Sequence, residues 1–110
     1  MEWLKKRSEF LNVTKAGNRF VTPAFIVQMY SRSSEGPPRC GITASRKVGG
    51  AVKRNRAKRR LRSLVRMTMP QGARCGTDYV LIAREEVLKR DFSVMAQELE
   101  HALKKLHQRG

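Results

Sequence analysis

Between Lys53 and Arg66 the chain reads K-R-N-R-A-K-R-R-L-R-S-L-V-R, eight Lys or Arg in fourteen residues and no carboxylate. Side chains of this kind hold spaced negative charge, and a phosphodiester chain is the partner that offers it. They are poorly suited to breaking bonds. The nine Asp and Glu leave the whole interval between Glu35 and Asp78 free, while twelve of the 24 basic residues lie inside it. Glu85 and Glu86 are adjacent in sequence rather than poised across a site, and no nucleophile, histidine and acid form a constellation suited to covalent catalysis. Cys40 and Cys75 are too few and too far apart for a cysteine-rich zinc module, and read as buried small residues in a reducing compartment. His101 and His107 lack carboxylates at metal-binding spacing and read as helix-surface or edge positions. These residues therefore point to a binder of RNA or DNA that does no chemistry of its own.

The basic stretch needs an element to display it, and its spacing is helical. Ala57, Leu61, Leu64, Val65 and Thr68 gather on one side of a helical wheel. Asn55, Arg59, Arg62 and Arg66 fall opposite, flanked by Arg56, Lys58 and Arg60. Arg54 lies beside the apolar stripe in the first turn, where it should reach around the helix end. The helix should dock by its stripe and leave a cationic face outside. Pro70 should end it within a residue or two.

The other elements follow in order. A first helix has Ser8 as its expected N-cap, Glu9 at its positive end and Gly17 as its stop. Phe10 and Thr14 share one side of it. Phe20–Tyr30 reads as strand interrupted near Pro23. After a turn at Pro37–Pro38, alternation sets Cys40, Ile42 and Ala44 against Arg39, Gly41, Thr43 and Ser45, and Phe25, Val27 and Met29 against Ile26, Gln28 and Tyr30. Such a sheet could carry helices on one face and stay open on the other. Ser45-Arg46-Lys47-Val48-Gly49-Gly50 leads into the basic helix, where free N–H groups favour a phosphate. Tyr79–Ala83 is the expected central strand. A last helix begins near Asp91 or Ser93, with Phe92, Met95, Ala96, Leu99, Ala102, Leu103 and Leu106 at helical spacing. The expectation is one α+β domain over 1–110, a sandwich of helix, two or three strands, basic helix, strand and helix.

A formal charge of +15 and a pI near 11 support an acidic partner for the whole chain. The N-terminus lacks the apolar segment of a secretory signal, and no apolar run is long enough to span a bilayer, so a cytoplasmic location is expected. A small ribosomal protein would share this charge and pattern. A DNA-binding protein would need a recognition helix and usually a dimer.

R-N-R-A-K-R-R-L-R at 54–62, G-I-T-A-S-R-K-V-G-G-A-V at 41–52, D-Y-V-L-I-A-R at 78–84 and L-K-K-R-S-E-F at 4–10 occur in one colinear order that resembles the bacterial ribonuclease P protein component. The resemblance covers nearly the whole chain. It implies an αβββαβα two-layer fold with a left-handed crossover through the basic helix, a departure from the usual hand. It also implies a subunit of the endonuclease that removes the 5′ leader of precursor tRNA, with the chemistry and its Mg²⁺ carried by the RNA subunit and no catalytic or metal-binding residue in this chain. By the same resemblance Arg54, Asn55, Arg56, Lys58, Arg59 and Arg62, with Ser45, Arg46 and Lys47, would face the catalytic RNA. Phe10, Ile26 and Gln28 would line a cleft for the leader. Three residues depart from the family pattern. Thr14 and Gln28 stand where aromatics are common, and Gly50 replaces an asparagine.

Overall fold

The computed structural model describes residues 2–109. Strand β1 (Glu2–Trp3) precedes helix α1 (Arg7–Ala16), followed by β2 (Asn18–Val21), β3 (Phe25–Ser31), β4 (Arg39–Ala44), α2 (Ala51–Gly72), β5 (Thr77–Ala83), a 3₁₀ turn (Glu85–Leu88) and α3 (Phe92–Arg109). The order is the expected one with a two-residue strand added in front. The five strands form one sheet in the order β1-β4-β5-β3-β2. β1, β4 and β5 run parallel, and β5, β3 and β2 antiparallel, so β4–α2–β5 is a crossover between parallel neighbours. The apolar run around Tyr79 is central, as expected, and every residue of β5 except Ile82 is buried.

One face of the sheet is closed by α2 and α3. Ala57, Leu61, Leu64, Val65 and Met69 of α2 meet Met95, Leu99, Ala102, Leu103 and Leu106 of α3 over Phe25, Val27, Met29, Cys40, Tyr79 and Leu81. The second face is only partly open. Helix α1 covers one end of it through Leu4, Val13 and Val80, with Phe10, Tyr30 and Ile82 packed alongside.

Several local expectations change. Helix α1 starts two residues earlier than a Ser8 cap implies, with Lys6 in the cap position. The cause is Glu9, whose Oε1 accepts the N–H groups of Lys5 and Lys6 at 2.9 Å each. The stop at Gly17 holds, in a left-handed conformation at φ 77°. Pro70 does not end α2, which runs on to Gly72. Thr68 and Met69 are buried and Gly72 lies against Leu103, so packing on α3 carries the helix past the lost hydrogen bond. Helix α3 begins at Phe92, within the expected Asp91–Ser93 stretch, and Asp91 Oδ1 accepts the N–H of Ser93 and of Val94. Cys40 is buried, but Cys75 is exposed.

His107 is not simply a surface residue. Its Nε2 lies 2.7 Å from the hydroxyl of fully buried Tyr79. That hydroxyl also accepts the backbone N–H of Arg74 at 2.9 Å, which leaves its own proton available to a neutral imidazole. Burial, and secondarily Arg74, hold the His107 pKa below its usual value. The folded state therefore binds fewer protons here than the unfolded state. The stabilisation is fully present above the ordinary imidazole pKa, about 6.5, and declines as pH falls below it. Urea midpoints measured at neutral and mildly acidic pH should show this decline, and His107→Gln, which accepts the same bond without titrating, should flatten it.

Candidate nucleic-acid interface

Helix α2 positions the basic residues. Its buried stripe faces the core, and Asn55, Arg56, Arg59 and Arg66 are exposed, with Arg54, Lys58 and Arg62 half-buried along its flanks. Among the described residues the ion pairs involve Arg32, Arg39, Lys89 and Arg90, and none involves a cation of α2. The helix has no acid in its first turn, and its cap residue Gly50 offers no side chain to the free N–H groups. A long cationic face thus stands without intramolecular neutralisation.

Two of its arginines are engaged locally. Arg54 folds back to donate to the Gly49 carbonyl at 3.2 Å, fastening the preceding turn rather than reaching toward the sheet. Arg60 is not free to serve the outer face. Its Nη2 donates to the Arg90 carbonyl at 2.6 Å, and its Nε is buried without a partner. Arg66 sits 5.7 Å over the ring of Trp3, which extends the cationic strip to the β1 edge.

Ser45, Arg46 and Lys47 form an exposed turn ahead of α2. Val48 N–H donates to Ser45 O and Gly49 N–H to Arg46 O, both at 3.1 Å, while the buried Val48 side chain pins the turn to the core.

The sheet places the remaining candidates in two neighbouring rows. Gly41, Val80, Gln28 and Arg19 are paired across β4, β5, β3 and β2 in one row, and Thr43, Ile82, Ile26 and Val21 in the next. The rows lie roughly 7 Å apart along the strands. The first is roofed by α1. The Phe10 ring lies directly on Gly41, where an added Cβ would fall 2.3 Å from the ring. Gln28 is only 7% exposed, and its Oε1 lies 3.5 Å from the Thr14 hydroxyl. The second row is open. Ile26, Ser45 and Lys47 share a hollow there with Arg19, Val21, Ile82, Arg84 and Glu85. Ile26 and the Ser45–Lys47 turn are thus brought together, while Phe10 and Gln28 belong to the roofed row beside them.

Sequence reasoning missed Arg19, Val21 and Ile82 in this hollow. Period-2 alternation from Ile26 through the pairing of β2 and β5 would have found them. Arg84 is held at the rim by its bond to the Thr22 carbonyl at 2.9 Å.

The carboxylates serve the scaffold. Asp78, 1% exposed, accepts Arg39 Nε and Nη2 at 2.8 and 2.7 Å and Arg32 Nη1 at 2.8 Å. Its hydrogen bond chiefly raises the Arg39 pKa, despite partial burial. Glu9 is held below the usual carboxylate range, first by the N–H of Lys6, then by that of Lys5, with Arg39 adding a smaller effect. Among the described residues no three His, Cys, Asp or Glu side chains group as metal ligands, and no helix is long and apolar enough to cross a membrane.

A small basic α+β protein with an unneutralised helix face beside a half-open sheet is the class these features define. Its relatives place it further. A family model described as Ribonuclease P matches residues 1–107. The Ribonuclease P protein component of Gluconacetobacter diazotrophicus is 40% identical over 107 residues, covering 97% of this chain and 92% of that protein. That of Ruegeria pomeroyi is 45% identical over 108 residues, covering 94% and 85%. The RNase P protein of Thermotoga maritima superposes with a TM-score of 0.78 at 30% identity, over 96% of this chain and 97% of that one. The RNase P protein of Staphylococcus aureus does so at 0.75 and 28%, over 96% and 94%. The chain belongs to the ribonuclease P protein family, the protein component of the ribonucleoprotein that processes tRNA. Its element order and crossover handedness are consistent with that family.

The contact between Phe10 and Gly41 yields a direct test. Gly41→Ala should lift the ring and destabilise the fold by about 1–3 kcal/mol, the usual cost of overpacking. Chemical denaturation checks it, and Gly50→Ala, where a Cβ meets nothing within 4 Å, serves as the control.

Proposed function

We propose that this chain binds the catalytic RNA of ribonuclease P and the 5′ leader of precursor tRNA, and thereby assists the Mg²⁺-dependent endonucleolytic cut that produces the mature tRNA 5′ end. The observation that carries the proposal is the α2 face, whose cations have no carboxylate partner among the described residues. Phosphates would relieve its like-charge repulsion and release counterions from the RNA.

Arg54, Asn55, Arg56, Lys58, Arg59 and Arg62 meet the RNA subunit, with Ser45, Arg46 and Lys47 continuing the contact from the preceding turn. Phe10, Ile26 and Gln28 serve the leader. Ile26 and its apolar neighbours offer a floor for bases, while Arg19 and Lys47 flank it at phosphate positions. Phe10 presents what its packing on Gly41 leaves free, and Gln28 contributes from beneath α1. When bound by the RNA, Mg²⁺ supplies an activated water for phosphodiester hydrolysis. The protein's part is to hold and orient, and its place of work is the cytoplasm.

Reconstitution tests this reading. A bacterial ribonuclease P RNA at low Mg²⁺ should remove the leader of a precursor tRNA much faster with this protein than without it, and the protein alone should do nothing. Tight RNA binding without stimulation of any RNA subunit would favour a ribosomal-type role instead. Arg59→Ala should fold normally, weaken assembly and raise the Mg²⁺ requirement. It should also lower the salt slope of RNA binding by roughly 0.7–0.9 for one lost phosphate contact. An unchanged slope and unchanged Mg²⁺ dependence would remove Arg59 from the interface.

A further inference from the structure

Four charged side chains tie the start of α1 to the sheet. Arg39, on β4, spends Nε and Nη2 on the buried Asp78 carboxylate, at 2.8 and 2.7 Å, which fixes the plane of its guanidinium. Its remaining Nη1 donates to Glu9 Oε2 at 2.6 Å. Glu9 then spends Oε1 on the Lys5 and Lys6 N–H groups. Arg32 adds a second cation on Asp78, at 2.8 Å, and is anchored by the Pro37 carbonyl at 2.7 Å. Two guanidinium groups and two carboxylates give a neutral set, which becomes cationic if Glu9 loses its charge.

The place of this set matters more than its energy. Glu9 immediately precedes Phe10, and Arg39 stands two residues before Gly41, on which the Phe10 ring rests. The first turn of α1 is thus located on β4 by an ion pair and an aromatic contact side by side. Upstream, the last backbone tie to β4 is Leu4 N–H to Cys40 O at 2.9 Å. On the far side of the turn, Val13 is buried, Leu11 is 43% exposed, and Thr14 makes only a long contact with Gln28. The height of α1 above the sheet is therefore set by Glu9 and Phe10 in its first turn and by buried Val13 one turn on.

We propose that the Glu9–Arg39 pair is a positioning device for the leader, holding α1 and Phe10 at the spacing from the sheet that a single RNA strand requires. The proposal rests on the leader reading above. It assigns a function to two residues outside the RNA-subunit and leader contacts proposed above.

The experiment compares the affinity of reconstituted holoenzyme for a precursor tRNA carrying a leader of several nucleotides with its affinity for the leaderless tRNA. Glu9→Gln keeps an amide oxygen for the Lys5 and Lys6 N–H groups but removes the charge facing Arg39. Arg39→Lys keeps a cation beside Asp78 but cannot reach both carboxylates. Both should bind the long-leader substrate several-fold more weakly, bind leaderless tRNA as wild type does, and assemble normally with the RNA subunit. Phe10→Ala should show the same selectivity, and adding Glu9→Gln to it should cost little more. Thermal midpoints show whether each variant is folded. Leader-selective loss in Phe10→Ala, with Glu9→Gln and Arg39→Lys matching wild type on both ligands, would overturn the positioning role and leave the leader cleft standing. Equal losses on both ligands in Glu9→Gln and Arg39→Lys would overturn it as a general structural effect. No selectivity in Phe10→Ala itself would overturn the leader reading at that residue, and the positioning role with it.

Discussion

The structure depends on the burial of one stripe of α2. Ala57, Leu61, Leu64, Val65 and Met69 are fully buried, on a helix whose opposite side carries a row of like charges. Repulsion between cations four residues apart costs about 0.2–0.5 kcal/mol per pair. Burial of an apolar side chain as large as Leu, Val or Met contributes about 1.5–3 kcal/mol. The stripe prevails over the repulsion, so the helix forms while its outer face remains charged and unpartnered. That imbalance also explains Pro70, since one missing hydrogen bond near the helix end weighs less than the contacts of Met69 and Gly72 on α3.

The scarce carboxylates complement this arrangement by staying away from it. Asp78 and Glu9 fasten β4, the segment after β3 and the start of α1, while Glu86 and Glu98 hold Arg90 beside the 3₁₀ turn. Arg90 in turn presents the carbonyl that engages Arg60. Acids thus organise arginines that build the scaffold and leave the others unopposed. The division of labour lies less in residue type than in whether a carboxylate or carbonyl stands within reach.

This division marks the limit of what the sequence reveals. Helical and strand periodicities disclosed α2, α3, the central β5 and both faces of β3 and β4, because each reflects burial against a continuous core. They placed Arg60 on the flank of the cationic face and Arg59 at its centre, but could not show that the Arg90 carbonyl engages Arg60. Nor could they show His107 reaching Tyr79 across 28 positions. The start of α1 shifted for a related reason. Ser8 has the right residue type for a cap, but the Glu9 carboxylate is longer and closes on Lys5 and Lys6 instead. Spacing placed Phe10 and Thr14 on one side of α1, and only the sheet register shows that Gly41 leaves room for the ring.

The same register bears on two of the expected departures from the family pattern, Thr14 and Gln28. Thr14 and Gln28 face each other beneath α1, so the roofed row carries a polar pair. Thr14 also donates to the Phe10 carbonyl at 3.2 Å, so its hydroxyl is largely occupied within the helix. If a leader follows this face, stacking there falls to Phe10 and the neighbouring Tyr30, and each lost stacking surface is worth about 1–3 kcal/mol per base. The adjacent row offers compensation of a different kind. Val21, Ile26 and Ile82 give an apolar floor, and Arg19 and Lys47 supply charge with only Glu85 opposing them in the hollow. Apolar floor and flanking cations discriminate little between bases, because neither reads a base edge. On the proposed reading, this chain grips its leader more by backbone charge than by stacking, so its leader affinity would be strongly salt-dependent and weakly sequence-dependent.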